Sequence, residues 1–171
     1  MAVPWNFSVS NSRLGVPWCH PAALMATGFG VGLLPLMPGT WASLTALPCG
    51  WAIRSLGGAA VLAIAVTIAF VLGCWAAARV AAASGHHDPG FIVIDEIAAQ
   101  WLVLVITPLD WRFYAAAFLL FRVFDIAKPW PARLVERRVA GGLGIMLDDI
   151  VAALYAVLLL LIAEGVFGVR P

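Results

Sequence analysis

The chain has 171 residues, of which 63% are hydrophobic and only 11% charged, against about 25% charged in a soluble domain. A mean hydropathy of +0.99 leaves too little polar surface for a water-soluble globule, and a net charge of +1 provides no basic field for nucleic acid. The length accommodates one domain and hardly two, and its natural solvent is a lipid bilayer.

Eight Trp suit the interfacial belts where amphipathic rings settle. Cys19, Cys49 and Cys74 are odd in number and lack CxxC spacing, so they read as small apolar fillers. At the N-terminus, Pro4, Trp5, Asn6 and Ser8 interrupt the chain before any long apolar core, which argues against a signal peptide. The chain divides into an N-terminal segment, 1–22, and a membrane-embedded domain over 23–171.

Residues 14–53 contain no Lys, Arg, Asp or Glu, yet Gly28, Gly30, Gly32, Pro35, Pro38 and Gly39 break the stretch into turns. Thr40 has the character of an N-cap for a helix from Trp41 to Ile53, despite Pro48 and Gly50. Ser55 to Ala78 gives 24 uncharged residues, enough to cross a hydrocarbon core, which takes about 20. Arg79 closes that span, and Ser84 to Gly90 is a polar loop. Ile97–Leu109 and Phe113–Phe121 read as a short helical hairpin around Pro108-Leu109-Asp110. Arg122 to Asp149 is the charged region, and Ile150 to Ala163 is a last apolar helix that starts at or before Asp148. The expected fold is all-α: a polytopic membrane helical bundle.

Arg122, Lys128, Arg133, Arg137 and Arg138 form a basic cluster that should face the cytoplasm. Counting spans from there returns Gly28–Thr40 and Gly85–Glu96 to the same face. Three separated polar segments should thus meet at one membrane surface, with the Asp110 turn and Arg170 on the other side.

Of nine acidic residues, Asp95, Glu96, Asp125, Asp148 and Asp149 adjoin apolar runs, and Asp88 lies in the loop before them. Carboxylates at membrane depth are expensive and need a partner or a metal. Plainer roles stand beside this. Asp95-Glu96 and Asp148-Asp149 could complement helix N-termini, and Asp125 could pair with Lys128 three residues on. Pro129 and Pro131 end the helix carrying Asp125, leaving Lys128 in its last turn, from which it could reach an anionic oxygen. Gly141-Gly142-Leu143-Gly144 reads as a flexible turn that allows close backbone approach. Free amides at Pro38-Gly39-Thr40, with the hydroxyls of Thr40 and Ser43, would suit an anion. His86 and His87 lack partners at zinc spacing, and a donor set dominated by acids favours Mg²⁺ or Mn²⁺. No nucleophile-elbow pattern surrounds a Ser or Cys.

These residues fall in four ordered motifs: Gly28-Phe-Gly-Val-Gly-Leu-Leu-Pro-Leu-Met-Pro-Gly-Thr40, Asp88-Pro-Gly-Phe-Ile-Val-Ile-Asp-Glu96, Phe124-Asp-Ile-Ala-Lys-Pro-Trp-Pro131 and Gly141-Gly-Leu-Gly-Ile-Met-Leu-Asp-Asp149. Together they resemble the phosphatidylglycerophosphatase A family, from about Gly28 to the end of the last helix. One departure is Ala42, where the family often has Gly. The resemblance implies a bacterial inner-membrane enzyme that converts phosphatidylglycerol phosphate to phosphatidylglycerol and inorganic phosphate with Mg²⁺. It also implies functional roles for Asp88, Asp95, Glu96, Asp125, Lys128, Asp148 and Asp149. On this reading the six acids hold one or two Mg²⁺, Lys128 with Arg122 or Arg133 binds phosphate oxygens, and the nucleophile is either a metal-activated water or an aspartate.

Two other readings compete. A phosphatidyl alcohol transferase also groups metal-binding Asp on membrane helices, and Ala132-Arg133 follows Asp125 here. Its D-x-x-D-G start is absent, because Lys128 holds the second acid's place. A transporter or assembly subunit could use intramembrane acids as a proton path, but these acids lie near turns and no central half-helix pair is evident.

Overall fold

A computed structural model of the chain describes residues 13–130, 134 and 138–167. Five α-helices organise them: α1 (Pro21–Ala26), α2 (Pro38–Ser84), α3 (Ile94–Ile106), α4 (Trp111–Ala127) and α5 (Gly141–Phe167), with a 3-10 turn at Val31–Leu33. No strand occurs among the described residues, in keeping with the all-α expectation. Pro38–Ser84 and Gly141–Gly165 are long and apolar enough to cross a membrane.

Helix α2 begins earlier than the sequence suggests. Pro38 occupies its first turn behind Met37, which is left-handed (φ 51), so Thr40 is a first-turn residue rather than the cap. Proline suits this place because its missing N–H would have no helical partner. The chain also stays helical through Arg54 and breaks at Gly58 (φ 75, ψ −179), a conformation open essentially to glycine alone. Arg54 need not end the helix, because its guanidinium donates sideways to the Leu104 carbonyl at 2.6 Å.

The break reverses the chain. Before Gly58, Gly39 abuts Glu96 and Gly50 abuts Leu104; after it, Gly73 abuts Ile94. The two arms of α2 therefore run in opposite directions along α3. Small residues let them close in: a Cβ on Gly50 would lie 2.7 Å from Leu104, and one on Gly73 2.7 Å from Met146, the packing that apolar helices use where lipid supplies no hydrophobic drive. Trp101 Nε1 ties α3 to the first arm through the Ala46 carbonyl at 2.9 Å.

Helices α3 and α4 form the hairpin around Pro108–Asp110, where the Asp110 side chain caps α4 by accepting from Arg112 N at 2.8 Å. With 13 residues, α3 is about 20 Å long, short of the roughly 30 Å hydrocarbon core.

Helix α5 starts at Gly141, so the glycine run is helical and not a flexible turn. Gly142 serves helix packing, with a Cβ there falling 2.0 Å from the Cys74 carbonyl of α2. Asp148 and Asp149 consequently lie two turns inside α5 and cannot act as its caps. Of the cysteines, Cys74 packs against the core as a filler should, whereas Cys19 and Cys49 are exposed.

Candidate active site

One end of the bundle gathers the acids. Asp95 and Glu96 occupy the first turn of α3, Asp125 the last turn of α4, and Asp148 and Asp149 face inward from α5. One oxygen from each of Asp95, Glu96 and Asp149 lies within 4.8 Å of the others. Three carboxylates this close repel one another unless protons or a cation intervene.

Their surroundings are dry. Asp95, Asp148 and Asp149 are 8%, 6% and 4% exposed. Glu96 Oε2, Asp148 Oδ1 and Asp149 Oδ2 are buried with no hydrogen-bond partner, a costly state for a polar atom. Asp95 and Glu96 lie outside the two long apolar helices, and burial pushes both carboxyls up from their ordinary range. For Asp95 the Glu96 and Asp149 charges add to that rise. For Glu96 the bond with Asp95 and the Arg122 charge oppose it in part.

Two cations stand beside the cluster. Arg122 Nη1 lies 2.6 Å from Asp125 Oδ2 and 3.9 Å from Glu96 Oε1, bridging α4 to α3. Lys128, the left-handed cap of α4 (φ 41, ψ 64), reaches α5 and donates to Asp148 Oδ2 at 2.6 Å. Asp125 thus pairs with Arg122, three residues before it, and Lys128 with an acid on another helix. Pro129 stops α4 there, and the left-handed turn at Lys128 takes the ammonium off the local helix.

The first arm of α2 closes the site. A Cβ on Gly39 would lie 1.8 Å from Glu96 Oε1, so only glycine leaves room for that carboxylate. Ser43 is fully buried and donates to the Gly39 carbonyl at 2.9 Å, while Arg122 Nη1 stands 3.4 Å from its Oγ. Thr40 Oγ1 is buried and has no partner. The amides of Thr40 and Trp41 already bond the Met37 carbonyl at 2.9 and 3.3 Å, so they are not free for an anion.

All the acids expected at the site are accounted for, though unequally. Asp95, Glu96 and Asp149 form its centre, Asp125 and Asp148 flank it through their cations, and Asp88 is exposed in the preceding loop. Arg133 lies outside the described residues. Gln100 is one residue that sequence reasoning passed over: it is wholly buried, with both amide atoms unpartnered. Its signal was a polar side chain four residues after Glu96 in an apolar helix, hence on the same face.

The oxygen donors, their mutual distances and their unpartnered atoms fit a hard divalent cation, held at one end of an apolar helical bundle. That defines an all-α bundle, with two helices long and apolar enough to cross a membrane and an acidic centre at one end. The sequence profile described as phosphatidylglycerophosphatase A matches residues 24–164. A phosphatidylglycerophosphatase A of Haemophilus influenzae is 43% identical over 150 residues, covering 87% of this chain and 92% of the relative. The Escherichia coli protein of the same name is 40% identical over 151 residues, covering 88% and 86%. A Bacteroides thetaiotaomicron relative, 38% identical over 153 residues and covering 85% and 94%, carries a provisional phosphatidylinositol-3-phosphatase name. No solved structure matches. The chain belongs to the phosphatidylglycerophosphatase A family and is a phosphatase.

Proposed function

We propose that this enzyme removes the terminal phosphate of phosphatidylglycerophosphate, giving phosphatidylglycerol and inorganic phosphate, with Mg²⁺ as cofactor. The observation that carries the reading is the Asp95–Glu96–Asp149 cluster, whose oxygens lie within 4.8 Å of one another. Two relatives, 43% and 40% identical, bear the name of that activity. The basic residues of the α4–α5 region argue for a site on the cytoplasmic face of a bacterial inner membrane.

Asp95, Glu96 and Asp149 would hold the ion, with Asp148, Asp125 and Asp88 able to contribute at its edge. Mg²⁺ bound there supplies charge neutralisation for the phosphoryl oxygens and activation of the attacking water. The protein's own groups do the rest. Lys128, the compact charge next to Asp148, binds a phosphate oxygen, and Thr40 Oγ1 offers a hydroxyl donor. Arg122 fixes Asp125 and Glu96 in place, and Ser43 supports Arg122, so substrate contact by these two is secondary. Burial keeps the site dry, which strengthens each charge contact made as the ester bond breaks.

The test is phosphate release from phosphatidylglycerophosphate by purified protein in detergent, titrated with Mg²⁺ after chelation, with phosphatidylinositol 3-phosphate in parallel. Release of phosphate only when Mg²⁺ is restored supports the reading. Full activity in excess chelator refutes the metal, and a preference for the inositol lipid refutes the substrate.

A further inference from the structure

The segment leading into α2 combines strain with exposure. Phe29, Leu36 and Met37 take left-handed backbone at φ 56, 64 and 51, where bulky residues are outliers. Their side chains are 79%, 85% and 62% exposed, so little of the protein repays that strain. Glycine would fit the same backbone more easily. Retaining three large apolar groups there puts the use in the side chains.

Their neighbours indicate what covers them. Met37 directly precedes α2, whose first arm leaves the apolar Trp41 and Leu44 exposed. No Lys, Arg, Asp or Glu occurs in residues 14–53, so nothing charged opposes burial in hydrocarbon. Leu36 also stands three residues from Gly39, which touches Glu96. The exposed segment therefore leads directly into the turn of α2 that packs on the carboxylate cluster.

We propose that Phe29, Leu36 and Met37 form an interfacial dock for the acyl chains of a membrane lipid, seating a phospholipid with its phosphate at the Asp95–Glu96–Asp149 cluster. The identity of that lipid as substrate rests on the function proposed above; the insertion of the segment does not. The dock selects for a membrane-borne phosphomonoester over a soluble one.

Two measurements decide it. The first compares the parent with a Leu36→Gly, Met37→Gly variant, in which glycine relieves the strain and protects the fold. Substrates are long-chain phosphatidylglycerophosphate in mixed micelles and its dihexanoyl counterpart as a monomer. KM for the long-chain lipid should rise about tenfold as apolar contact is lost, with kcat and dihexanoyl turnover unchanged. Equal loss on both substrates, or no change on either, overturns the dock. The second attaches a fluorophore to Leu36→Cys in a Cys19→Ser, Cys49→Ser background reconstituted in vesicles. Quenching by lipids brominated on their acyl chains supports insertion. Quenching by aqueous iodide instead, or a signal set by protein density as in self-association, overturns it. This arm reads the segment even if neither lipid is hydrolysed.

Discussion

The two ends of the bundle treat charge in opposite ways. At the end formed by the α3–α4 turn, Arg54, Asp110 and Thr107 find partners nearby, and the buried Tyr114 hydroxyl is left without one. Arg54 donates to the Leu104 carbonyl at 2.6 Å, Asp110 accepts from Arg112 N at 2.8 Å, and Thr107 Oγ1 donates to the Val103 carbonyl at 2.8 Å. At the other end, five acids gather around two cations, and Glu96 Oε2, Asp148 Oδ1 and Asp149 Oδ2 stay unpartnered. Apart from that hydroxyl, the first end is closed as it stands. The second leaves buried carboxylate oxygens without a partner, and that difference marks it as the candidate site without recourse to any motif.

The sharpest break of this comparison is to neutralise the centre. Asp149→Asn and Asp95→Asn keep the side-chain shape but remove charge. Phosphate release should fall on the order of 10²-fold or more, and Mg²⁺ should no longer raise the melting temperature. At the opposite end, Asp110→Asn should keep parent activity, since an Asn caps a helix about as well. Near-parent rates in both centre variants would remove the metal-site reading.

Gly39→Ala probes the same centre without touching a charge. The added methyl would meet Glu96 Oε1 at 1.8 Å, so the carboxylate or the start of α2 must move. A shift of about 1 Å can cost about 10²-fold in rate. Gly90→Ala is the control, because nothing lies within 4 Å of its would-be Cβ. Equal kinetics in the two variants would show that the Gly39–Glu96 contact does not position the carboxylate.

Much of this site was legible beforehand, and what was not has physical reasons. The acids could be picked out because a carboxylate beside an apolar run is expensive, and span parity brought their segments to one end. Pairings could not be read, because they depend on which side chains meet across helices. Lys128 sits three residues from Asp125 in sequence, yet a left-handed cap turns it to Asp148 on α5. Helix limits failed where glycine did unexpected work. Gly141–Gly144 reads as a turn, but Gly142 is there to let α5 meet α2 at the Cys74 carbonyl. Likewise Arg54 seems to end a helix until the Leu104 carbonyl is found to receive it, leaving Gly58 to make the reversal.

Lys128→Ala should rank next in effect. It removes the cation beside Asp148 and a charge suited to a phosphate oxygen, so kcat/KM should fall roughly 10²-fold. Lys128→Arg should recover only part, because a guanidinium does not present the same compact charge. Parent-like kinetics in Lys128→Ala would exclude it from phosphate binding.

The smallest effect on activity is expected at Arg54, and it completes the contrast. Arg54→Leu removes a charged donor whose bond holds α2 to the end of α3. The Leu104 carbonyl lies near the C-terminus of α3, where a cation also complements the helix dipole. Charge-assisted bonds of this type contribute about 1.5–3 kcal/mol, so unfolding in detergent should shift to lower temperature. The site lies at the opposite end of α3, with Glu96, Gly39 and Arg122 making their own contacts there, so kcat at permissive temperature should stay within about twofold of the parent. A large loss of kcat with unchanged stability would mean that the two ends are coupled through α3, and that the closed end also takes part in shaping the open one.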